Sequence, residues 1–262
     1  MRDLCIVLLF LFALAQGRLF AQLVPPRIGL VSDLTGALRP VLGVSGNFLM
    51  GDPVARSVVS AGCSGTFSFV KTDTTLSILD GVTGTDFPSP AGPALFSFFG
   101  HTGFAFFLSD RSLHRWDGVN LNPVALNAFT GDVLALAQPD ANHVWLAVRQ
   151  TDAQVYSILF DGTSGALQSS TPLTSASGNL ALLNGQEFLY TGQSGLMLHR
   201  ASGTEIPLVA PGIGEMASVH FELLGVNWWS VKASGQHFAI RTEPGRESLY
   251  RLPENALPEN TQ

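Results

Sequence analysis

Leu113-His114-Arg115-Trp116-Asp117-Gly118 decides how this chain is read, because three other stretches repeat its plan of an apolar strand running into a tight turn. They are Leu76-Ser77-Ile78-Leu79-Asp80-Gly81, Tyr156-Ser157-Ile158-Leu159-Phe160-Asp161-Gly162 and Leu196-Met197-Leu198-His199-Arg200-Ala201-Ser202-Gly203. The turn positions 80, 117, 161 and 202 lie 37, 44 and 41 residues apart. Asp-Gly and Ser-Gly tolerate the positive φ angles of hairpins, so their recurrence marks strand-to-strand turns.

Each of these strands follows another apolar strand: Phe67 to Val70, Phe104 to Leu108, Val144 to Val148 and Phe188 to Tyr190. Those follow a third set, Ser57 to Ala61, Ala94 to Phe99, Val133 to Ala137 and Leu180 to Leu183. A more polar strand comes after the turn in three of the four units, at Val119 to Leu126, Ala166 to Ser170 and Glu205 to Val209; the first unit shows no clear fourth strand. A fifth unit fits at Met216 to Leu223, Val226 to Val231, His237 to Arg241 and Ser248 to Leu252. Apolar inner strands with a polar outer one are the order of a propeller blade, and no helical periodicity of useful length competes with it. The expectation is an all-β protein, a β-propeller of four-stranded antiparallel blades.

Ahead of the units, Arg27 to Gly43 reads as a hairpin around Asp33 to Gly36. Ile28 to Pro253 amounts to about 5.5 repeats of roughly 41 residues. A ring has no half blade, so the hairpin is expected to pair with a terminal blade and close the ring. Five blades is the first expectation and six the second.

Met1-Arg2 followed by the apolar run Leu4 to Ala15 has the form of a signal peptide, with cleavage after Ala15 or Ala21. That run is too short to span a bilayer. The chain is accordingly divided into a signal peptide (1–21), an N-terminal hairpin and ring-closing segment (22–56), blades (57–253) and a C-terminal tail (254–262). The expected location is secreted or periplasmic, with no stable membrane span after cleavage.

Apolar residues make up 46% of the chain, enough for a sizeable core, while charged residues make up only 13%. A net charge of −6 and just two lysines, Lys71 and Lys232, exclude a nucleic-acid partner, which demands clustered cations. An extracellular protein or a carbohydrate is the expected partner. Once Cys5 leaves with the leader, Cys63 has no cysteine to pair with and is expected to pack as a small apolar residue.

Gln138-Pro139-Asp140-Ala141-Asn142-His143-Val144-Trp145-Leu146-Ala147 resembles the Pro-Asp turn and following strand of YVTN- and NHL-type propeller repeats. Leu38-Arg39-Pro40-Val41-Leu42-Gly43-Val44-Ser45-Gly46 and Leu249-Tyr250-Arg251-Leu252-Pro253-Glu254 are similar to segments of a group of uncharacterised secreted propeller-like proteins of environmental bacteria. That resemblance covers most of the mature chain. It implies a secreted propeller and lends neither an activity nor catalytic residues.

No catalytic residue is expected. The six histidines never fall at the i, i+2 or i, i+4 spacing of metal ligands, so no metal is expected. No glycine-rich turn precedes a helix that would cradle a phosphate, no serine sits in a nucleophile elbow, and no cofactor is implied. Asp80, Asp117, Asp140 and Asp161 read as turn formers. Glu187, Glu205, Glu215 and Glu222 are the acids that turns explain least, and a pair of them facing one cleft would be needed for polysaccharide hydrolysis. Aromatic residues stand out: Phe96, Phe98, Phe99, Phe104, Phe106 and Phe107 crowd one unit, whose two faces should both be buried by alternation. The adjacent Trp228 and Trp229 must point to opposite sides of their strand, leaving one available as a binding platform. His114 and His199 occupy related points of two units, each followed by arginine. The ligand-binding candidates are therefore Trp228, Trp229, His114 and His199, with plain packing as the competing role. The function read from the sequence is a non-catalytic binding or scaffolding module, with an extracellular polysaccharide hydrolase or lyase as the alternative.

Overall fold

The computed structural model describes residues 25–253 except 66, 82, 128, 174–178, 193–194, 210–218 and 234. The leader at 1–21 and the tail at 254–262 lie outside the described residues, as does the start of the strand expected from Met216. The described residues contain strands and turns but no helix, so no helix among them is long and apolar enough to cross a membrane.

The strands form six antiparallel sheets, each in simple sequence order. The hairpin sheet holds β1 (Arg27–Ser32), β2 (Leu38–Val44) and β3 (Asn47–Met50). The first four-stranded blade holds β4 (Ser60–Ser64), β5 (Phe67–Lys71), β6 (Thr75–Asp80) and β7 (Thr83–Pro88). The second holds β8 (Ala94–Phe99), β9 (Thr102–Phe107), β10 (Ser112–Trp116) and β11 (Leu121–Val124), and the third β12 (Asp132–Ala137), β13 (His143–Arg149), β14 (Val155–Asp161) and β15 (Leu167–Pro172). The fourth holds β16 (Leu180–Leu182), β17 (Phe188–Gly192), β18 (Gly195–His199) and β19 (Glu205–Leu208), and the fifth β20 (Val219–Gly225), β21 (Trp228–Ala233), β22 (Gln236–Arg241) and β23 (Ser248–Arg251).

The propeller therefore has six blades, not the five expected first. The hairpin acquires a third strand, β3, and stands as its own blade between the fifth and the first instead of pairing with a terminal blade. The first unit also has the fourth strand that its sequence hid. All of β7 is exposed or half-exposed, so it carries no apolar signal. Its first strand begins at Ser60, three residues late, because Ser57 takes a left-handed turn (φ 58°).

Six separate apolar layers make up the core, one in each seam between neighbouring blades. The second blade shows why. Alternation along β9 sends Phe104 and Phe106 toward the third blade and Ala105 and Phe107 toward the first, burying both faces. Phe96 and Phe98 meet Phe69 edge-on at 5.5 and 4.8 Å. Phe99, at the end of β8, is half-exposed where the strand reaches the rim.

The seam between β1 and β20 brings two backbones close together. A Cβ on Gly29 would lie 1.5 Å from the Leu224 carbonyl oxygen, and one on Gly225 would lie 2.4 Å from that of Ile28. Both strands shift register at these points, β1 between Arg27 and Gly29 and β20 between Leu223 and Gly225. Glycine in a strand interior marks such close backbone approach and bulging.

Cys63 packs wholly buried in the seam between the hairpin blade and the first blade, its thiol 3.4 Å from the Leu30 carbonyl. Burial pushes this thiol up to about 11, and a buried thiol with little thiolate is inert. In a chain begun at Gln22, so that Cys63 is its one cysteine, a disulfide-forming thiol reagent is expected to leave the folded protein unmodified for hours and to titrate one thiol after denaturation. Rapid modification in native buffer would show that this seam opens.

Candidate functional site

Loops leaving the inner strands of the five four-stranded blades meet at one end of the axis and surround a pocket of about 320 Å³. Phe96, Phe98, Leu136, Leu182, Leu223 and Trp229 supply apolar wall. Each of the five blades also lines this space with at least one uncharged polar residue, among them Ser64, Ser97, Gln138, Asn184 and Asn227. Apolar walls with a few convergent polar groups are the usual make-up of a small-molecule site. Beneath it a narrower space of about 40 Å³ runs down the axis, lined by the inner strands of those five blades and by none of β1.

Two of the polar groups lack partners. The Ser97 hydroxyl and the Gln138 Oε1 are buried without a hydrogen bond among the described residues, although Gln138 Nε2 donates to Thr102 Oγ1 at 3.0 Å. An unsatisfied buried acceptor or hydroxyl is costly, and its persistence calls for an explanation. The charged groups of the wall behave differently. Arg200 is 8% exposed and spans the seam from the fourth blade to the fifth, donating to the Thr242 carbonyl at 2.7 Å and to Glu247 at 2.6 Å, with Glu187 3.5 Å away. Burial opposes ionisation of Glu247, but the bonds from Arg200 and from backbone amides outweigh it and hold the carboxyl below its usual range. The arginine and both acids are committed to one another.

The four sequence candidates do not converge. Trp229 faces the axial pocket and is 9% exposed. Trp228 points the other way, edge-on to Phe48 at 5.6 Å and beneath the Arg241 guanidinium at 5.8 Å. His114 lies edge-on to Phe107 at 5.1 Å, and burial pushes its imidazole below the ordinary range. His199 stacks on Phe188 at 4.8 Å and bonds Glu205 at 2.7 Å. Sequence reasoning passed over Ser97 and Gln138. A signal existed for Gln138: at or just beyond the end of the apolar inner strand in four of the five units stands a polar residue, Ser64, Gln138, Asn184 or Asn227, whereas Ser97 lies inside its strand.

A second polar cluster crosses the tight seam. The buried Glu222 on β20 accepts from Ser32 Oγ at 2.8 Å with both oxygens and has Lys232 Nζ and His220 Nε2 each 3.3 Å away; Lys232 also bonds Ser32. Desolvation opposes the charge on Glu222, but His220, Lys232 and Ser32 together lower its pKa. Next to it the buried His237 ring bonds Ser230 Oγ at 2.7 Å, and burial with the Lys232 charge pushes the imidazole down to about 4. Neither lysine is a free surface charge: Lys71 is enclosed, its ammonium bonded to the Thr72 and Asp73 carbonyls. No group of three metal-ligating side chains occurs among the described residues.

No protein-family model matches the chain, and no curated protein is similar to it in sequence. Solved structures share its architecture. A lectin variant from Aleuria aurantia in complex with Fucα1-6GlcNAc is similar at a TM-score of 0.56 and 13% identity, over 88% of this chain and 93% of the lectin. The lectin variant in complex with α-methyl-L-fucoside gives a TM-score of 0.55 at 13% identity, over 88% and 91%. A chain of a nidogen/laminin complex gives 0.51 at 10% identity, over 88% and 99%. At these identities the likeness establishes the propeller fold and nothing further.

Proposed function

We propose that the chain is a non-catalytic binding module working outside the cytoplasm, and that its axial pocket seats a small neutral carbohydrate. The observation that carries this reading is the aromatic-walled pocket itself, whose lining includes Ser97 and Gln138, each with a buried oxygen unpartnered among the described residues. A hydroxylated ring supplies donors to such groups and lays its apolar C–H face on aromatic walls. Ionic ligands fit poorly, because the Arg200 charge is already matched by Glu187 and Glu247. The shared fold with a lectin is in keeping with this class of ligand, and the leader supports a secreted or periplasmic location.

The alternative, a polysaccharide hydrolase or lyase, needs a carboxylic acid that holds its proton at the mouth. Glu187, the acid that lines the pocket, lies 3.5 Å from Arg200 and accepts from Asn184 Nδ2 at 3.0 Å, so it is engaged as a paired carboxylate. Binding is therefore the reading the site favours.

Calorimetric titration of the purified protein with a panel of neutral mono- and disaccharides tests it. One sugar class is expected to bind saturably. Gln138→Leu and Ser97→Ala should each weaken that binding about tenfold, the worth of a lost hydrogen bond in a dry site. Saturable binding by none of the panel, or affinity indifferent to both substitutions, would overturn the proposal.

A further inference from the structure

The seams on the rim that holds the axial pocket are closed by different devices. Two residues before the turn position, Arg115 reaches from the second blade to the Ala141 carbonyl of the third at 3.0 Å, and Arg200 makes the matching bridge from the fourth blade to the fifth. Arg241 reaches from the fifth blade to Ser45 of the hairpin blade at 3.5 Å. Between the third and fourth blades, where Leu159 holds the arginine position, Trp145 fills the gap so closely that a Cβ on Gly185 would lie 2.5 Å from its ring. The seam between the first and second blades has neither device. Its arginine position is Ile78, and a cleft of about 360 Å³ remains, lined by Phe67, Ile78, Asp80, Thr85, His101 and Trp116.

Asp80 sets this cleft apart. Asp117 accepts from the amides of Val119 and Asn120, and Asp161 from those of Thr163 and Ser164, so both carboxylates are spent on their own turns. No turn amide among the described residues donates to the Asp80 carboxylate. It faces His101 Nδ1 at 3.5 Å across the cleft instead, both side chains well exposed. The floor is apolar, with Trp116 and Ile78 buried, and Val119, 74% exposed, stands at the lip. No lysine or arginine lines the space.

We propose that this open seam is a second ligand seat, separate from the axial pocket, which takes one neutral sugar ring through a pair of hydroxyls on Asp80 and an apolar face on Trp116 and Val119. A carboxylate accepts two hydroxyl donors at once, and such charge-assisted bonds are the stronger kind. The imidazole of His101 offers a donor or an acceptor beside it. The class of ligand rests on the reading of the axial pocket; the location does not. Two seats on one rim also let a repeating glycan gain by effective concentration, with no new contact needed.

Titrating the purified protein with neutral methyl glycosides, one at a time, while following the Trp116 indole N–H by NMR and the stoichiometry by calorimetry, tests the seat. The expected result is two sites, of which Asp80→Ala removes one, abolishing the Trp116 shift, while Gln138→Leu weakens the other about tenfold. A single site weakened in Gln138→Leu and indifferent to Asp80→Ala would overturn the second seat and leave the axial reading standing. A single site lost only in Asp80→Ala would do the reverse. Binding of no glycoside at all overturns both. Because Asp80 is an exposed side chain whose ionic neighbour among the described residues is the equally exposed His101, a matched melting temperature is expected for Asp80→Ala.

Discussion

Gly29→Ala is expected to unfold this propeller at a markedly lower temperature than any exposed substitution. The added methyl would sit 1.5 Å from the Leu224 carbonyl oxygen and 2.7 Å from its carbon, atoms of a backbone that no rotamer change can move aside. Either β1 withdraws from β20 or both strands bend, and each route breaks the seam that joins the hairpin blade to the fifth blade. Overpacking of a close-packed interior costs about 1–3 kcal/mol and more where backbone is involved. At 3 kcal/mol or above, the loss for a domain of this size is roughly 6–12 °C in melting temperature. Gly192→Ala is the matched control, since among the described residues its new methyl would meet first the Met197 side chain, at 3.2 Å, and no backbone atom closer than 3.9 Å. If the two variants melt within a degree or two of each other, the reciprocal glycine contact does not hold the ring closed.

Acid should weaken the same seam. His237 is held neutral at about 4, against an ordinary value of 6.5, by burial and by the Lys232 ammonium, with Glu222 and Asp33 pulling weakly the other way. A group whose folded pKa is depressed contributes stability above its unfolded pKa and loses it as pH falls toward the folded one. The window for His237 is therefore pH 6.5 down to about 4, and the loss across it is of order 3 kcal/mol at most. Glu222, also depressed, contributes stability above its ordinary value of 4.5 and loses it below. The two losses run in the same direction on acidification. Melting temperature measured from pH 7 to pH 4.5 should fall, by roughly 5–10 °C if most of the histidine contribution is realised. His237→Gln keeps a hydrogen-bonding partner for Ser230 and removes the titration, so its profile over that window should be flatter. Equal slopes for the two proteins would show that the acid sensitivity lies elsewhere.

The architecture was legible because propeller blades are local objects. Antiparallel neighbours follow one another in sequence, so alternation within β9 and the turns at Asp80 and Asp117 were enough to draw each sheet. The blade count was less legible. β7 is polar from end to end and β3 is only four residues long, so neither carries the apolar rhythm on which strand recognition depends. The candidate site was legible only in Trp229. The opposite facing of Trp228 and Trp229 follows from strand geometry alone, yet which of the two meets the axis depends on where the fifth blade stands in the ring.

By itself, then, the sequence determined the strand order, the antiparallel pairing and the stacking of two-faced sheets, because these depend on neighbours a few residues apart. Tertiary structure alone decided that the hairpin is a sixth blade, that Ser97 and Gln138 reach one pocket from separate blades, that Glu222 bonds Ser32 across the closing seam, and that Ile78 leaves one seam open where Arg115 and Arg200 close others. Each of those joins residues from different blades, up to 190 positions apart in the case of Ser32 and Glu222. Whether such groups meet is fixed by closure of the ring, and no local periodicity encodes closure.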